Sequence, residues 1–318
     1  MNQYHIYEKI GKGKHSVVYK GRKKKTIQYY AVKSVEKSQK GRVLQEVRTM
    51  HALDHKNILK FYAWYETTNH LWLILEYCVG GDLMSLLRQD VRLPESSVHD
   101  FARDMVVALQ YLHSNSIIYC DIKPSNVLLD ENGRLKLGGF GLSRRLSDIN
   151  KTSVTNLPPA KRGTPCYMAP ELFSEGATHS TASDLWSLGC VLYECAVGRP
   201  PFMNSSFTQL AHDILNSDPA AVQGASPEFA HLLSRLLDKN PATRIKIAVS
   251  NLEKDGDGGA DYTAAAPQAN GADIVIDSAD AELDFEEEAR DGGGPWGAAR
   301  AAIRTMSHAV TPAWSDAT

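Results

Sequence analysis

At 318 residues the chain is long enough for about two domains or lobes, and its hydrophobic (43%) and charged (23%) fractions are those of a globular protein. Its longest apolar-rich stretch, Leu71 to Val79, is interrupted by Glu76, and its first residues carry no hydrophobic segment with a cleavage site, which argues against a membrane span and a secretory signal. The net charge of −2 hides an asymmetry: residues 1–250 carry 31 Lys+Arg against 23 Asp+Glu, whereas residues 251–318 carry 4 against 14. A basic body suits either a polyanion, such as nucleotide or an acidic filament, or simple solvation.

Residues 4–36 show strand-like alternation of β-branched and aromatic side chains, among them Tyr7, Ile10, Val17, Tyr19, Ile27, Tyr29 and Val32. Between the first two expected strands lies Gly11-Lys12-Gly13-Lys14-His15-Ser16. Glycines at 11 and 13 let backbone N–H groups approach phosphate oxygens, and two lysines add charge nearby. The next strand ends in Ala31-Val32-Lys33. A helix is expected over Arg42 to Leu53, with Val43, Val47 and Met50 on one stripe and Glu46 beside it.

His70 to Tyr77 is a further strand, followed by Cys78-Val79-Gly80-Gly81-Asp82. Ser96 to Ser114 is expected to be helical, started by Pro94-Glu95, with Phe101, Met105, Ala108, Leu109 and Leu112 facing the core. Then comes IIYCDIKPSNVLLDENGRLKLGGFGL, Ile117 to Leu142: a loop holding Asp121, Lys123 and Asn126, an apolar run, a turn at Asp130 to Gly133, and Gly138-Gly139-Phe140-Gly141. Residues 143–163 are polar, with hydroxyls at Ser147, Thr152, Ser153 and Thr155. They close on Gly163-Thr164-Pro165-Cys166-Tyr167-Met168-Ala169-Pro170-Glu171, and Asp184-Leu185-Trp186 opens an apolar helix reaching about Ala196. The five cysteines, Cys78, Cys120, Cys166, Cys190 and Cys195, have neither zinc-site nor redox-pair spacing, which suggests reduced thiols in a cytoplasmic chain.

These segments, in this order from Gly11 to Arg244, resemble the signature set of the protein kinases. The resemblance implies an α+β, two-lobed protein kinase fold, with residues 1–77 as a β-rich N-lobe and 78–248 as a mostly helical C-lobe, incomplete at its end. In such a fold Lys33 pairs with Glu46 and holds the nucleotide phosphates beneath the loop of Gly11 and Gly13. The ring of ATP would lie between Ile10, Val18, Ala31 and Leu128, against the backbone of Glu76 and Cys78. Leu75 would guard the back of the pocket, and Asp82 would reach the ribose. Asp121 would accept the proton of the acceptor hydroxyl, Lys123 would steady the γ-phosphate, and Asn126 would ligate a metal. Lys123 and Thr164 fit the Ser/Thr type. Asp184 is expected to anchor the catalytic loop, and Glu171 to pair with Arg244.

Two departures matter. Glycine stands at 139, where the motif has its metal-binding aspartate, and Cys120 stands where the motif has an arginine that clasps an activation-loop phosphate. Binding of ATP is therefore expected with a Mg²⁺ site that lacks its main anchor, and Gly139 is expected to loosen the segment that holds Phe140.

The wording YCDIKPSNVLLDENG and AKRGTPCYMAPELF is similar to the plant RUNKEL branch of the Fused and Unc-51-like group, whose vertebrate relative is regarded as a pseudokinase. Members of that branch carry a helical-repeat region, which these residues do not include, and associate with microtubules during cytokinesis. Two functions follow: an ATP-binding, pseudokinase-like scaffold with weak or no phosphotransfer, or an active Ser/Thr protein kinase acting on a protein hydroxyl. The expected partner is a protein substrate or a scaffold partner, with no nucleic acid or membrane, in the cytoplasm or on the cytoskeleton.

Residues 249–318 read as an acidic, Ala/Gly/Asp-rich tail with too few large apolar groups to fold. Asp255-Gly256-Asp257 begins like a calcium loop, but Ala260 and Ala266 stand where Gly and Glu are needed, which rejects it.

Overall fold

The computed structural model describes residues 1–149, 163–174 and 176–247. Thr152, Ser153, Thr155 and the acidic tail, including Asp255 to Asp257, lie outside the described residues. Strands β1 (Tyr4–Lys12), β2 (Ser16–Lys23), β3 (Tyr29–Glu36), β4 (Phe61–Glu66) and β5 (His70–Glu76) form an antiparallel sheet in the order β1-β2-β3-β5-β4. Its register sets Val18 opposite Lys33 and Ala31 opposite Leu75. Because side chains alternate across a strand, Val18, Ala31 and Lys33 share one face. Tyr30 and Val32 take the other, where they form a small core with Ile74.

Helix α1 (Lys40–His51) packs beside this sheet. Val43, Val47 and Met50, spaced four and three apart, fall on one side of a 3.6-residue helix and are all buried. The helix begins two residues earlier than expected from the sequence, taking in Lys40 and Gly41.

The second lobe is mostly helical. Helices α2 (Leu83–Asp90) and α3 (Glu95–Ser114) precede the short strand β6 (Ile117–Ile118), the hairpin β7 (Val127–Leu129) with β8 (Leu135–Leu137), strand β9 (Arg144–Arg145) and α4 (Leu146–Ile149). Then follow α5 (Thr181–Val197), α6 (Phe207–Asn216) and α7 (Pro227–Leu236).

Helix α5 is the centre of this lobe: Leu185, Trp186, Leu188, Cys190, Val191 and Leu192 are at most 2% exposed. A helix apolar all round must be enclosed by others. A reciprocal capping box of Ser180 and Ser183 starts it, and Gly198, at φ +89°, ends it. A Cβ at Gly198 would lie 2.6 Å from the carbonyl oxygen of Val91, so packing as well as φ requires glycine there. The architecture is the two-lobed protein kinase fold. Among the described residues no helix is long and apolar enough to cross a membrane.

Candidate active site

Asp184, on the first turn of α5 and 1% exposed, organises the catalytic loop. One carboxylate oxygen accepts from the backbone N–H of Tyr119 (2.9 Å) and lies 2.9 Å from Nε2 of His113; the other accepts from the N–H of Cys120 (2.9 Å). Cys120 is held at φ +69°, a left-handed conformation that a side chain tolerates only when its surroundings impose it. Burial pushes its thiol well above the usual range.

Beyond that anchor the structure brings Asp121, Lys123, Asn126 and Thr164 together. Oδ2 of Asp121 lies 2.8 Å from the Lys123 ammonium and accepts from Nδ2 of Asn126 at 2.9 Å. The same amide donates to the Asp121 carbonyl (2.8 Å), and Lys123 also donates to the Thr164 hydroxyl (3.0 Å). Asp121 is thus a carboxylate held in direction by the Lys123 ammonium, the Asn126 amide and, at 3.5 Å, the Thr164 hydroxyl.

The side of the cleft that carries Lys33 is assembled as well. The Lys33 ammonium meets both oxygens of Glu46, at 2.7 and 3.0 Å, and Glu46 is only 5% exposed. Strand β3 places the lysine and α1 the glutamate; the partners are thirteen residues apart. Gly13 closes the loop between β1 and β2 by donating to the Ser16 carbonyl (2.8 Å), with Gly11 opposite Val18. Val18, Ala31 and Leu128 are half-buried, whereas Ile10 is exposed. Lys12 and Lys14 are exposed on the loop.

At the connection between the lobes the sequence expectation needs two additions. The Glu76 carboxylate is engaged away from any nucleotide: Oε1 pairs with Lys136 (2.9 Å) and Oε2 accepts from the N–H of Lys60 (3.0 Å). Asp82 spends one oxygen capping α2, accepting from the N–H of Ser85 at 2.7 Å. Burial raises the Cys78 thiol well above its usual range.

The segment Gly138 to Gly141 packs against Asn126 and Tyr119. Gly139 sits at φ +70°, ψ 41°, and a Cβ there would come within 2.5 Å of Cγ and Oδ1 of Asn126. Asn126 therefore leans into the space of a residue-139 side chain. Around it Phe140 is fully buried, edge-on to the Tyr119 ring at 5.2 Å, and the Tyr119 hydroxyl donates to the Gly138 carbonyl. That tyrosine was missed in the sequence. Its only signal was an aromatic hydroxyl where the motif has histidine.

Few side-chain oxygens stand beside Asn126. Asn126 supplies one carboxamide oxygen, positions 138 and 139 supply no side chain, and Asp130 faces its own turn, accepting from the N–H groups of Asn132 and Arg134. Among the described residues no cluster of three or more His, Cys, Asp or Glu could hold a metal ion. Hard divalent cations of the magnesium type are bound through carboxylates plus phosphate oxygens.

Behind the site, Arg244 (1% exposed) clasps both oxygens of Glu171 at 2.8 and 2.9 Å and donates to the carbonyls of Asp238 and Ala182. This fixes the end of the segment that carries Thr164.

The protein kinase domain model matches residues 4–253. The chain is 63% identical over 249 residues to serine/threonine-protein kinase RUNKEL of Arabidopsis thaliana, covering 78% of this chain and 18% of that protein. It is 38% identical over 273 residues to serine/threonine-protein kinase ULK4 of Mus musculus (77% and 21%). A more distant match is cytokinesis protein sepH of Aspergillus niger, 34% identical over 252 residues (77% and 18%). The chain thus spans about a fifth of the length of these relatives. With the fold, the paired Lys33 and Glu46 and the loop of Asp121 to Asn126 in place, the chain belongs to the protein kinase family.

Proposed function

We propose that this domain binds ATP and works chiefly as a kinase-fold scaffold for a protein partner, with phosphoryl transfer to a Ser/Thr hydroxyl slow or absent. The observation that carries this reading is Gly139, which provides no carboxylate, beside an Asn126 amide committed to Asp121. Phosphoryl transfer depends on positioning and charge neutralisation. Loss of one preorganised charge contact in such a site costs on the order of 3–4 kcal/mol, or ~10²–10³ in rate. Nucleotide binding depends instead on the Lys33–Glu46 pair, the glycine loop and the apolar walls. Lys12, Lys14, Lys33 and Lys123 offset part of the missing metal charge.

A second reading, an active Ser/Thr kinase, is favoured by the assembled groups. Asp121 would take the proton of the acceptor hydroxyl while that oxygen attacks the γ-phosphorus and ADP leaves, with Lys123 on the transferred group. Radiolabel transfer to a generic protein substrate, beside Gly139→Asp, separates the two. Transfer only in the variant supports the scaffold; robust transfer by the parent supports the kinase. A thermal-shift titration with ATP in EDTA tests metal-tolerant binding, and no shift counts against it.

The association with cytokinesis and microtubules, and a cytoplasmic or cytoskeletal location, belong to the same proposal. They rest on the family resemblance and on the name of the sepH relative. Co-sedimentation with polymerised microtubules tests them.

A further inference from the structure

The five-stranded sheet ends at β1 on one side and at β4 on the other. Among the described residues β1 pairs with β2 alone, so the far side of its backbone offers a row of N–H and C=O groups to an added strand. The edge is also apolar: Ile6, Tyr7 and Ile10 are 40%, 40% and 43% exposed. A long edge of this kind is one that folded proteins usually cover or blunt.

The charge around β1 is one-sided. Residues 1–25 carry eight Lys+Arg against a single acid, Glu8, which lies 3.7 Å from Lys20. Lys9 and Lys12 on β1, Lys14 in the following loop, and Lys24 and Lys25 in the turn before β3 are exposed and make no ion pair among the described residues. The β4 edge is different, because its Glu66 is matched by Lys37 (2.7 Å) and Lys40 (2.8 Å). Lysines on an edge also discourage a second copy: two β1 strands side by side would gather four of them on one short ladder. The edge therefore selects an acidic strand.

The chain itself carries one. Residues 280–288, Asp-Ala-Glu-Leu-Asp-Phe-Glu-Glu-Glu, lie outside the described residues and hold six carboxylates and no cation. Within them Ala281, Leu283 and Phe285 alternate with Glu282, Asp284 and Glu286, the two-residue period of a strand. Residues 248–279 join this segment to the C-lobe, and extended they could span roughly 100 Å, against about 45 Å across a domain of this size.

We infer that residues 280–288 add to the free edge of β1 as a sixth strand of the same chain. Backbone bonds to β1 hold the segment, its apolar residues cover Ile6, Tyr7 and Ile10, and its carboxylates meet the unpaired lysines. A segment too poor in apolar groups to fold alone can order in this way on a partner surface.

The test is residue-resolved amide hydrogen exchange on the whole chain. Amides of β1 that face away from β2 should exchange at least about tenfold more slowly in the parent than in Leu283→Pro/Phe285→Pro, since proline cannot donate to a ladder. Amides of β3 should be the same in both, showing an intact sheet. Glu282→Lys/Glu286→Lys should lose the protection, as should Lys9→Glu/Lys12→Glu, and combining the two pairs should restore part of it. Equal exchange in the parent and the proline variant, or full protection in either charge-reversed variant, would overturn the inference. So would protection that grows with protein concentration, which would place the added strand on a second copy.

Discussion

Replacing Gly139 by aspartate tests both the steric and the catalytic argument. The new side chain starts at φ +70°, a conformation that costs an L-residue roughly 1–2 kcal/mol, with aspartate at the low end because it tolerates the left-handed region better than most. Its Cβ also claims space within 2.5 Å of the Asn126 carboxamide. Asn126 must withdraw, giving up its bonds to the carbonyl and carboxylate of Asp121 (2.8 and 2.9 Å), each worth about 0.5–1.5 kcal/mol. The variant should therefore be less stable by about 2–4 kcal/mol, a sizeable part of the ~5–15 kcal/mol of an ordinary domain. Urea unfolding without ligand measures this.

The same carboxylate restores a charge contact, and radiolabel transfer should rise by ~10²–10³ in Mg²⁺. Magnesium with ATP should also return part of the lost stability, because a ligand held only by the native state shifts the equilibrium. A variant as stable as its parent would refute the packing argument. A parent that transfers phosphate as fast as the variant would refute the catalytic one.

Arg244→Leu leaves the Glu171 carboxylate without its partner and should cost about 3–5 kcal/mol, read from urea unfolding. Tyr119→Phe keeps the ring contact with Phe140 but deprives the buried Gly138 carbonyl of its donor; about 1–3 kcal/mol should be lost, with ATP affinity little changed. Lys33→Met orphans Glu46 and should weaken ATP binding at least tenfold by thermal-shift titration.

His55 has a pKa lowered to about 4, chiefly by burial and then by Lys56 and Lys136. The unfolded chain binds this proton more readily, so stability should fall as pH drops from 6.5 toward 4 and be level above 7. His55→Gln should remove on the order of 1–2 kcal/mol of that dependence, allowing for the ring's partial exposure. Unfolding curves across this pH range check it, and identical pH profiles would refute the assignment.

The parts of the site legible in the sequence were those carried by short-range pattern. Lys33 follows from a strand that alternates, Glu46 from its place beside the Val43–Val47–Met50 stripe, and Asp121 to Asn126 from a loop set before an apolar run. Motif order did the rest, since the segments from Gly11 to Arg244 could be matched as a set. Less legible were the groups whose partners lie far along the chain. Tyr119 reaches the carbonyl of Gly138, and Glu76 reaches Lys136, sixty residues on. Asp82 showed a ribose contact in prospect but also a helix to cap, and the structure spends one of its oxygens on the cap.

Order and spacing along the chain were thus enough to establish the family, the lobes and the missing carboxylate at 139, because strand and helix periods are local and a glycine has no side chain in any context. The conformation of that glycine was another matter. Its left-handed φ, the Asn126 amide lodged beside it and the sealed pocket of Phe140 arise only when the hairpin, α1 and the catalytic loop pack together. Which atoms share a space is a property of contacts between distant segments, and no periodicity along the chain encodes it.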